Sequence, residues 1–461
     1  MKNQTLSWDS RWLSRFDIQA PRYTSYPTAN QFSDQVSADV YAQQIQQSAS
    51  SIAPLGLYIH VPFCRQNCFY CACNKLVTRD NAKVERYLQA LLKEIAMLGR
   101  VHSHRRITEM HWGGGTPTYL SRGQITQIMY ALAQHFTLDN HSDHDYSIEI
   151  DPRTIDVEDL ALLRGLGFNR VSMGIQDFDI RVQRLINRVQ SADQVEALVN
   201  AVRENAFDSL NFDLIYGLPG QTLSGFKETL NTVIALSPDR IACYNYAHLP
   251  DKFPGQRGID SVDLPSATEK LGLLQCAGEM LQAAGYCYLG MDHFAKEDDA
   301  LAVAAKNHTL KRNFQGYATS RVQDNIAIGP SGISYINQMY SQNETSLNAY
   351  CLSLENDRLP ISRGHVLTED DQLRKRIITD LACKLFIRFD DIDKQFGIQF
   401  KHYFADEVNR LAEFTTLGLL TINEEGVFIA PQGRLVLRNI LLVFDLYHRS
   451  ANSRKIFSKA I

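Results

Sequence analysis

The sequence predicts an α/β protein, a partial (β/α)6 TIM-like barrel with an N-terminal arm and a mainly helical C-terminal domain. Three observations carry that expectation. From residue 55 to about 250, apolar strand-like runs alternate with amphipathic helical stretches through short connections, which implies a parallel sheet with right-handed crossovers. Several of those strands carry one polar face. Ser147, Glu149 and Asp151 oppose Tyr146, Ile148 and Ile150; Ser172, Gly174 and Gln176 oppose Val171, Met173 and Ile175; Asn211 and Asp213 oppose Leu210, Phe212 and Leu214. A sheet covered on both faces would be apolar throughout, so a shared polar face reads as a hydrated lumen. Small polar ligands belong there, towards the carboxyl ends of the strands. Finally, 461 residues exceed one typical domain. The expected division is an arm over 1–50, a barrel over 51–300, a barrel-closing segment and linker over 301–363, and a winged-helix-like lid over 364–461.

Taken in order, Pro21 to Thr28 holds two prolines with aromatics between them and favours an extended arm. A short helix over 39–47 follows. Strands are expected at 55–61, 109–113, 146–151, 170–176, 210–216 and 240–247. Lys83 to Leu98 is helical by its spacing of Val84, Tyr87, Leu88, Leu91, Leu92, Ile95 and Leu98. Further helices are expected at 121–135, 156–166, 179–186, 191–205 and 222–236. Beyond 250 the rhythm weakens into a helix at 265–285 and a strand at 286–291. Asp292-His293-Phe294 reads equally as a site or a satisfied turn, and the His- and Asp-rich stretch 139–145 as a solvated loop. The C-terminal module begins with a helix from Thr368 and continues through Leu411–Leu420, a strand at 427–429 and a final helix at 432–448.

The chemistry centres on Cys64, Cys68, Cys71 and Cys73, directly after the first strand. Thiolates hold iron–sulfur clusters, normally one per iron of a cubane. Three ligands spaced CxxxCxxC leave one iron open, which suits a cluster that binds a substrate. Zinc would need a second Cys or His pair at a suitable offset, and none follows Cys73 closely. The run Gly113-Gly114-Gly115-Thr116-Pro117 closes the second strand, where absent side chains let the backbone approach a ligand. Gly217-Leu218-Pro219-Gly220 is a similar exit, equally consistent with a plain turn.

The totals exclude other classes. A net charge of −4 argues against a nucleic-acid surface. Met1 to Trp12 has no apolar leader core, and Ile440 to Phe444 is far too short to span a bilayer. Nine cysteines fit a reducing compartment, so the expectation is a cytoplasmic protein without a membrane span. No exposed heptad pattern demands a dimer, and a monomer is expected.

The cysteine spacing is the signature of the radical S-adenosylmethionine (SAM) enzymes. Beyond it, PRYTSYPTA, HWGGGTPT, IEIDPR, SMGIQDF, DLIYGLP, YAHLP, GMDHFA and RNFQGY extend a specific resemblance from about Pro21 onwards. The chain resembles the oxygen-independent coproporphyrinogen III oxidases, which convert two propionates of coproporphyrinogen III to vinyl groups in haem biosynthesis. That resemblance implies a radical SAM barrel, a [4Fe–4S] cluster on Cys64, Cys68 and Cys71, and two SAM molecules. Tyr58, Gly114, Glu149, Ala247 and Ile333 match positions around the first SAM. Tyr70, Gly115, Thr116, Gln176, Arg188 and Asp213 match positions around the second. Phe69-Tyr70 departs from the family's order of these aromatics, and either ring could cover the ligand. Tyr58, Cys73 and Arg22 are the candidate catalytic residues, Cys73 as an extra cysteine outside the ligand set. Arg22 is the first candidate for a substrate carboxylate, with Arg312 and Arg438 behind it. An external electron donor and an electron acceptor are implied. A haem-binding chaperone of the same superfamily is the alternative, but it lacks the arm and carries an aromatic in place of Cys73. A haem-degrading radical SAM methyltransferase would also lack the complete arm.

Overall fold

The computed structural model describes residues 6, 13–141, 144–319, 322–448 and 459. Most of the segment 1–12, including the expected lack of an apolar leader core, lies outside the described residues. Six strands lie side by side in chain order and parallel: β1 (Leu55–Val61), β2 (Arg106–Gly114), β3 (Asp145–Ile150), β4 (Arg170–Gln176), β5 (Ser209–Tyr216) and β6 (Arg240–Asn245). Helices Asn81–His102, Arg122–His135, Val157–Gly165, Ile180–Leu185 with Ala192–Glu204, and Leu223–Leu236 fill the crossovers. Neighbour-to-neighbour order with such crossovers curls the sheet in one direction. The strand expected at 109–113 begins three residues earlier, because Arg106 and Ile107 pair with Thr137 and Leu138.

The sheet extends at both ends. Beside β6 runs an antiparallel hairpin, β7 (Tyr286–Gly290) and β8 (His293–Lys296). Beside β1 the strand β9 (Asp324–Ile328) joins in parallel and leads into antiparallel β10 (Ile333–Ile336), β11 (Met339–Asn343) and β12 (Ile361–Val366). The described strands make an open path from β7 to β12, so the barrel is partial, as the sequence implies.

Local signals explain the helix starts. Asp80 accepts from Ala82 N ahead of the first helix, and Ser121 with Gln124 closes a capping box before the second. Each such cap is worth about 1 kcal/mol. The first helix buries Val84, Tyr87, Leu88, Leu91, Ile95 and Leu98 against the sheet, the stripe its periodicity marks.

The C-terminal module has a helix at Glu369–Lys384 and a three-stranded sheet of Phe386–Arg388, Gly426–Ile429 and Leu420–Ile422. Three expectations are corrected here. The strand Phe386–Arg388 was not foreseen; it follows Leu385, whose φ of 67° ends the helix. The stretch 411–420 holds only the short helix Ala412–Thr416 before Gly418 (φ 68°) turns the chain into a strand. The last helix spans only Leu437–Val443, preceded by a 3-10 stretch Pro431–Val436. There Gly433 lies so close to Leu419 O that a Cβ would sit 2.0 Å from it, which holds the chain tightly wound.

The N-terminal arm is clasped by the far end of the chain. Tyr23 Oη donates to Asp445 at 3.0 Å, Thr28 Oγ1 lies 3.0 Å from His448 Nε2, and Leu446 N donates to Tyr26 Oη at 3.1 Å. A short helix, Ala38–Gln47, follows the arm as expected. Among the described residues no helix is long and apolar enough to cross a membrane.

Candidate active site

The carboxyl ends of β2 to β5 and the cysteine loop enclose one cavity of about 580 Å³, within the usual range for small-ligand sites. It is lined by Cys64, Cys68, Cys71, Cys73, Tyr70, Gly114, Gly115, Thr116, Glu149, Gln176, Arg188 and Asp213, twelve of the sixteen cluster, SAM and catalytic candidates; the reserve candidates Arg312 and Arg438 are not in the lining. The other four do not line it. Tyr58 lies 3.1 Å from His60 Nδ1, and its ring stacks on His111, which meets Glu149 at 3.2 Å. The carbonyls of Ala247 and Tyr70 both accept from Gln256 Nε2, at 3.1 Å each. Arg22 lies over Tyr244, a lining residue, 4.8 Å from the ring centroid. Ile333 packs with Phe32, Tyr340 and Leu367 and does not line the cavity.

The cysteine loop is pinned at many points. Phe69 N donates to Ile186 O, Asn187 Nδ2 to Asn67 O, and Arg153 Nη1 to Gln66 Oε1, all between 2.9 and 3.0 Å. Cys64 Sγ lies 3.5 Å from Thr116 Oγ1, and burial pushes its thiol up to about 11. Cys68 Sγ accepts from Arg153 at 3.3 Å and from Arg188 at 3.6 Å.

The glycine run is a built cradle. A Cβ would meet the Glu149 carboxylate from Gly113 at 2.9 Å, the His60 ring from Gly114 at 2.6 Å, and Phe63 O from Gly115 at 2.7 Å. Gly114 also has φ +111°, which L side chains rarely adopt. The backbone therefore passes where no side chain fits, and the cavity wall there is bare main chain.

Two carboxylates share the lumen, on strands separated by one other. Asp213 accepts from Ser172 Oγ at 3.0 Å and from Asn211 Nδ2 at 3.0 Å; burial and the Glu149 charge raise its carboxyl to about 6. His111 holds Glu149 from below and Ser147 at 2.6 Å on its other nitrogen. On β4, between those two strands, Gly174 O accepts from Arg188 Nη2 at 2.6 Å, and the Arg188 Nε is buried with no partner among the described residues.

These features fit a cluster with a small zwitterionic, ribose-bearing ligand. Three cysteines line one cavity, carboxylates can accept from hydroxyl and amino groups, and a buried guanidinium can pair with a carboxylate. No group of three His, Cys, Asp or Glu among the described residues is tight enough to share a single metal ion. A cubane differs in taking each thiolate on a separate iron.

Comparison with known proteins agrees. Residues 58–233 match the Radical SAM superfamily, and residues 367–436 match the HemN C-terminal domain. The chain is 46% identical to an oxygen-independent coproporphyrinogen III oxidase of Pseudomonas aeruginosa over 99% of both chains, and 42% identical to that of Escherichia coli K12 over the whole of both. The solved structure of coproporphyrinogen III oxidase (HemN) from Escherichia coli, described as a radical SAM enzyme, superposes with a TM-score of 0.92, covering 96% of this chain and 100% of its own. The chain belongs to the oxygen-independent coproporphyrinogen III oxidase family.

Sequence reading passed over several residues of this oxidase-family site. Asp151 and Arg153 follow directly from the end of β3; the sequence marks Asp151 on a polar strand face and both in the IEIDPR run, without assigning either a role in the site. Tyr244 and Lys75 also line the cavity, with no pattern to mark them. Below the main cavity the lumen continues between Glu109, His111, Ser147, Arg170, Asn211, Arg240 and His293, the lower rungs of the polar faces. Of the two ambiguous runs, Gly217–Gly220 is a turn, whereas in Asp292-His293-Phe294 only Asp292 is, His293 and Phe294 opening β8 with His293 on the lower lumen. Met291 and Asp292 have positive φ and join β7 to β8, with Asp292 paired to Arg438 at 3.0 Å, while Gly217 and Gly220 have φ of 83° and 72°.

Proposed function

We propose that this chain oxidises coproporphyrinogen III without oxygen, converting two propionates to vinyl groups and releasing two carbon dioxide molecules to give protoporphyrinogen IX. The convergence of Cys64, Cys68 and Cys71 with the bare Gly113–Gly115 wall, in one cavity of a chain of this family, is the observation that carries the reading. Held there, a [4Fe–4S] cluster and SAM would supply, with one electron from an external donor, the radical chemistry that removes a hydrogen atom from the propionate β-carbon. Loss of carbon dioxide then leaves one electron for an acceptor.

The protein's own part is binding, orientation and exclusion of water. Cys64, Cys68 and Cys71 would hold the cluster, while Cys73 stands at the rim as an additional thiol. Gly114 and Glu149, with Tyr58 and Ala247 behind them, support the first SAM; Tyr70, Gly115, Thr116, Gln176, Arg188 and Asp213 support the second. Ile333 would contribute only by packing. Arg22, stacked on Tyr244, is the cation offered to a substrate carboxylate.

The test is anaerobic. Protein with a reconstituted cluster is given coproporphyrinogen III, SAM and dithionite, and products are read by chromatography and mass. Protoporphyrinogen IX with 5′-deoxyadenosine is expected, with both products and the bound iron lost in Cys68→Ser. Haem binding without any turnover would overturn the proposal.

A further inference from the structure

Around the cysteine loop the surface departs from the protein's acidic balance. Arg65, Arg79, Arg184 and Arg257 are all exposed, and none makes an ion pair among the described residues. Each is tied to the loop by its neighbours. Arg65 lies within it, over the Tyr119 ring. Arg79 follows Thr78, whose backbone N donates to Cys64 O at 3.3 Å. Arg184 precedes the Ile186–Asn187 turn that holds Phe69 and Asn67. Arg257 lies between Gly255 and Gly258, at which an added Cβ would meet Asn67 and Phe69.

The acids beside them are already engaged. Asp80 caps Ala82 and pairs with Lys83; Asp159 pairs with Arg122; Asp179 pairs with Arg181; Asp260 accepts from Val262 N. Large apolar side chains are exposed on the same segments as Arg79 and Arg184: Val189 is 51% exposed, Val77 43% and Leu185 37%. Arginines mixed with exposed aliphatic side chains make a surface suited to a transient, charge-steered partner.

Of the four arginines only Arg65 lines the cavity; the other three lie outside its wall. The partner therefore docks on the outside rather than entering. We propose that this collar is the docking surface for an acidic one-electron carrier protein, which delivers the reducing electron through the cysteine loop. The carrier is oxidised by one electron and the cluster reduced by one, with no atom transferred. This assignment rests on the reading of the cysteines as cluster ligands, and it adds the partner's chemistry and its place.

The test uses the full-length, cluster-loaded protein and an acidic flavodoxin as probe, with the Kd read from flavin fluorescence anisotropy. The triple variant R79E/R184E/R257E is expected to raise the Kd at least about tenfold at low salt, with the difference fading as ionic strength rises. Turnover driven by dithionite should be unchanged, which also shows that the variant folds. An unchanged Kd would overturn the proposal. So would a raised KM for coproporphyrinogen III under dithionite, since the collar would then serve the substrate's carboxylates. Should dithionite fail to drive turnover even in the unaltered protein, the functional reading fails, while the Kd comparison still decides the docking surface.

Discussion

Arg188 reaches Asp151 Oδ2 at 2.9 Å, and Arg153 reaches the same oxygen at 2.7 Å from the other side. Both guanidiniums also touch Cys68 Sγ. One carboxylate thus orients the two cations at a sulfur. Burial alone would raise Asp151, but Arg188 and Arg153 outweigh it and hold the carboxyl at about 2. Asp151→Asn should cost about 3 kcal/mol, because the buried Arg188 and the partly buried Arg153 lose their counter-charge. The sign follows from the depressed value: this contribution is present above the unfolded pKa near 4 and lost as pH falls towards 2. Urea unfolding of the variant should therefore show the full loss at pH 7.

Asp213 gives a pH dependence of ligand binding. With its carboxyl raised to about 6 by burial and by Glu149, it accepts hydrogen bonds as a full anion only above that pH. SAM affinity measured by equilibrium dialysis should fall about tenfold between pH 7 and pH 5. Asp213→Asn should bind weakly at both values, with a flat profile.

Gly114→Ala places a methyl group 2.6 Å from the His60 ring at a φ of +111°. The strain should cost about 2 kcal/mol or more in urea unfolding. Because the same methyl closes the bare wall, SAM affinity should drop by about two orders of magnitude. Gly123→Ala, in the helix Arg122–His135 where an added Cβ meets nothing within 4 Å, is the control: it should leave SAM affinity unchanged and should not destabilise the fold.

Glu94 concerns the scaffold. It is 1% exposed and receives Tyr350 Oη at 2.5 Å, Asn343 Nδ2 at 2.7 Å and Gly329 N at 2.9 Å. Burial raises it from 4.5 to about 7 in spite of those donors. An acid raised on folding stabilises fully below its unfolded pKa, and that stability is lost as pH rises through 7. The gap corresponds to about 3 kcal/mol. Unfolding midpoints should fall between pH 5 and pH 7.5, and Glu94→Gln should remove most of that slope.

Arg22→Ala should raise the KM for coproporphyrinogen III about tenfold while leaving SAM affinity unchanged. Its main chain is fixed independently, since Arg312 Nη2 donates to Arg22 O at 2.9 Å. A change in thermal stability with KM intact would make Arg22 only a strap.

The barrel was legible because period-two alternation and helical stripes do not depend on distant contacts. Glu149 and Asp213 could be placed on one lumen from their strands alone, and the cysteines from their spacing. The strand Phe386–Arg388 was not legible, since three residues carry no period and only pairing with Gly426–Phe428 makes them a strand. Arg188 and Arg153 look like ordinary helix and turn cations in the sequence. Their role depends on Asp151, and the partnership of Arg188 with Asp151 spans 37 positions. Ile333 shows the converse: a motif match marks a position, but the side chain packs against Phe32 and away from the cavity lining.

The clasp between Tyr23 and Asp445 joins positions 422 residues apart. During synthesis the arm emerges first and its partner almost last, so Arg22 cannot be seated until nearly the whole chain has left the ribosome. The barrel can fold from contacts between successive strands well before that. A nascent chain would thus hold its cysteine loop while the Arg22 side of the lumen stays uncovered. Assembly of the substrate side is timed to the end of translation.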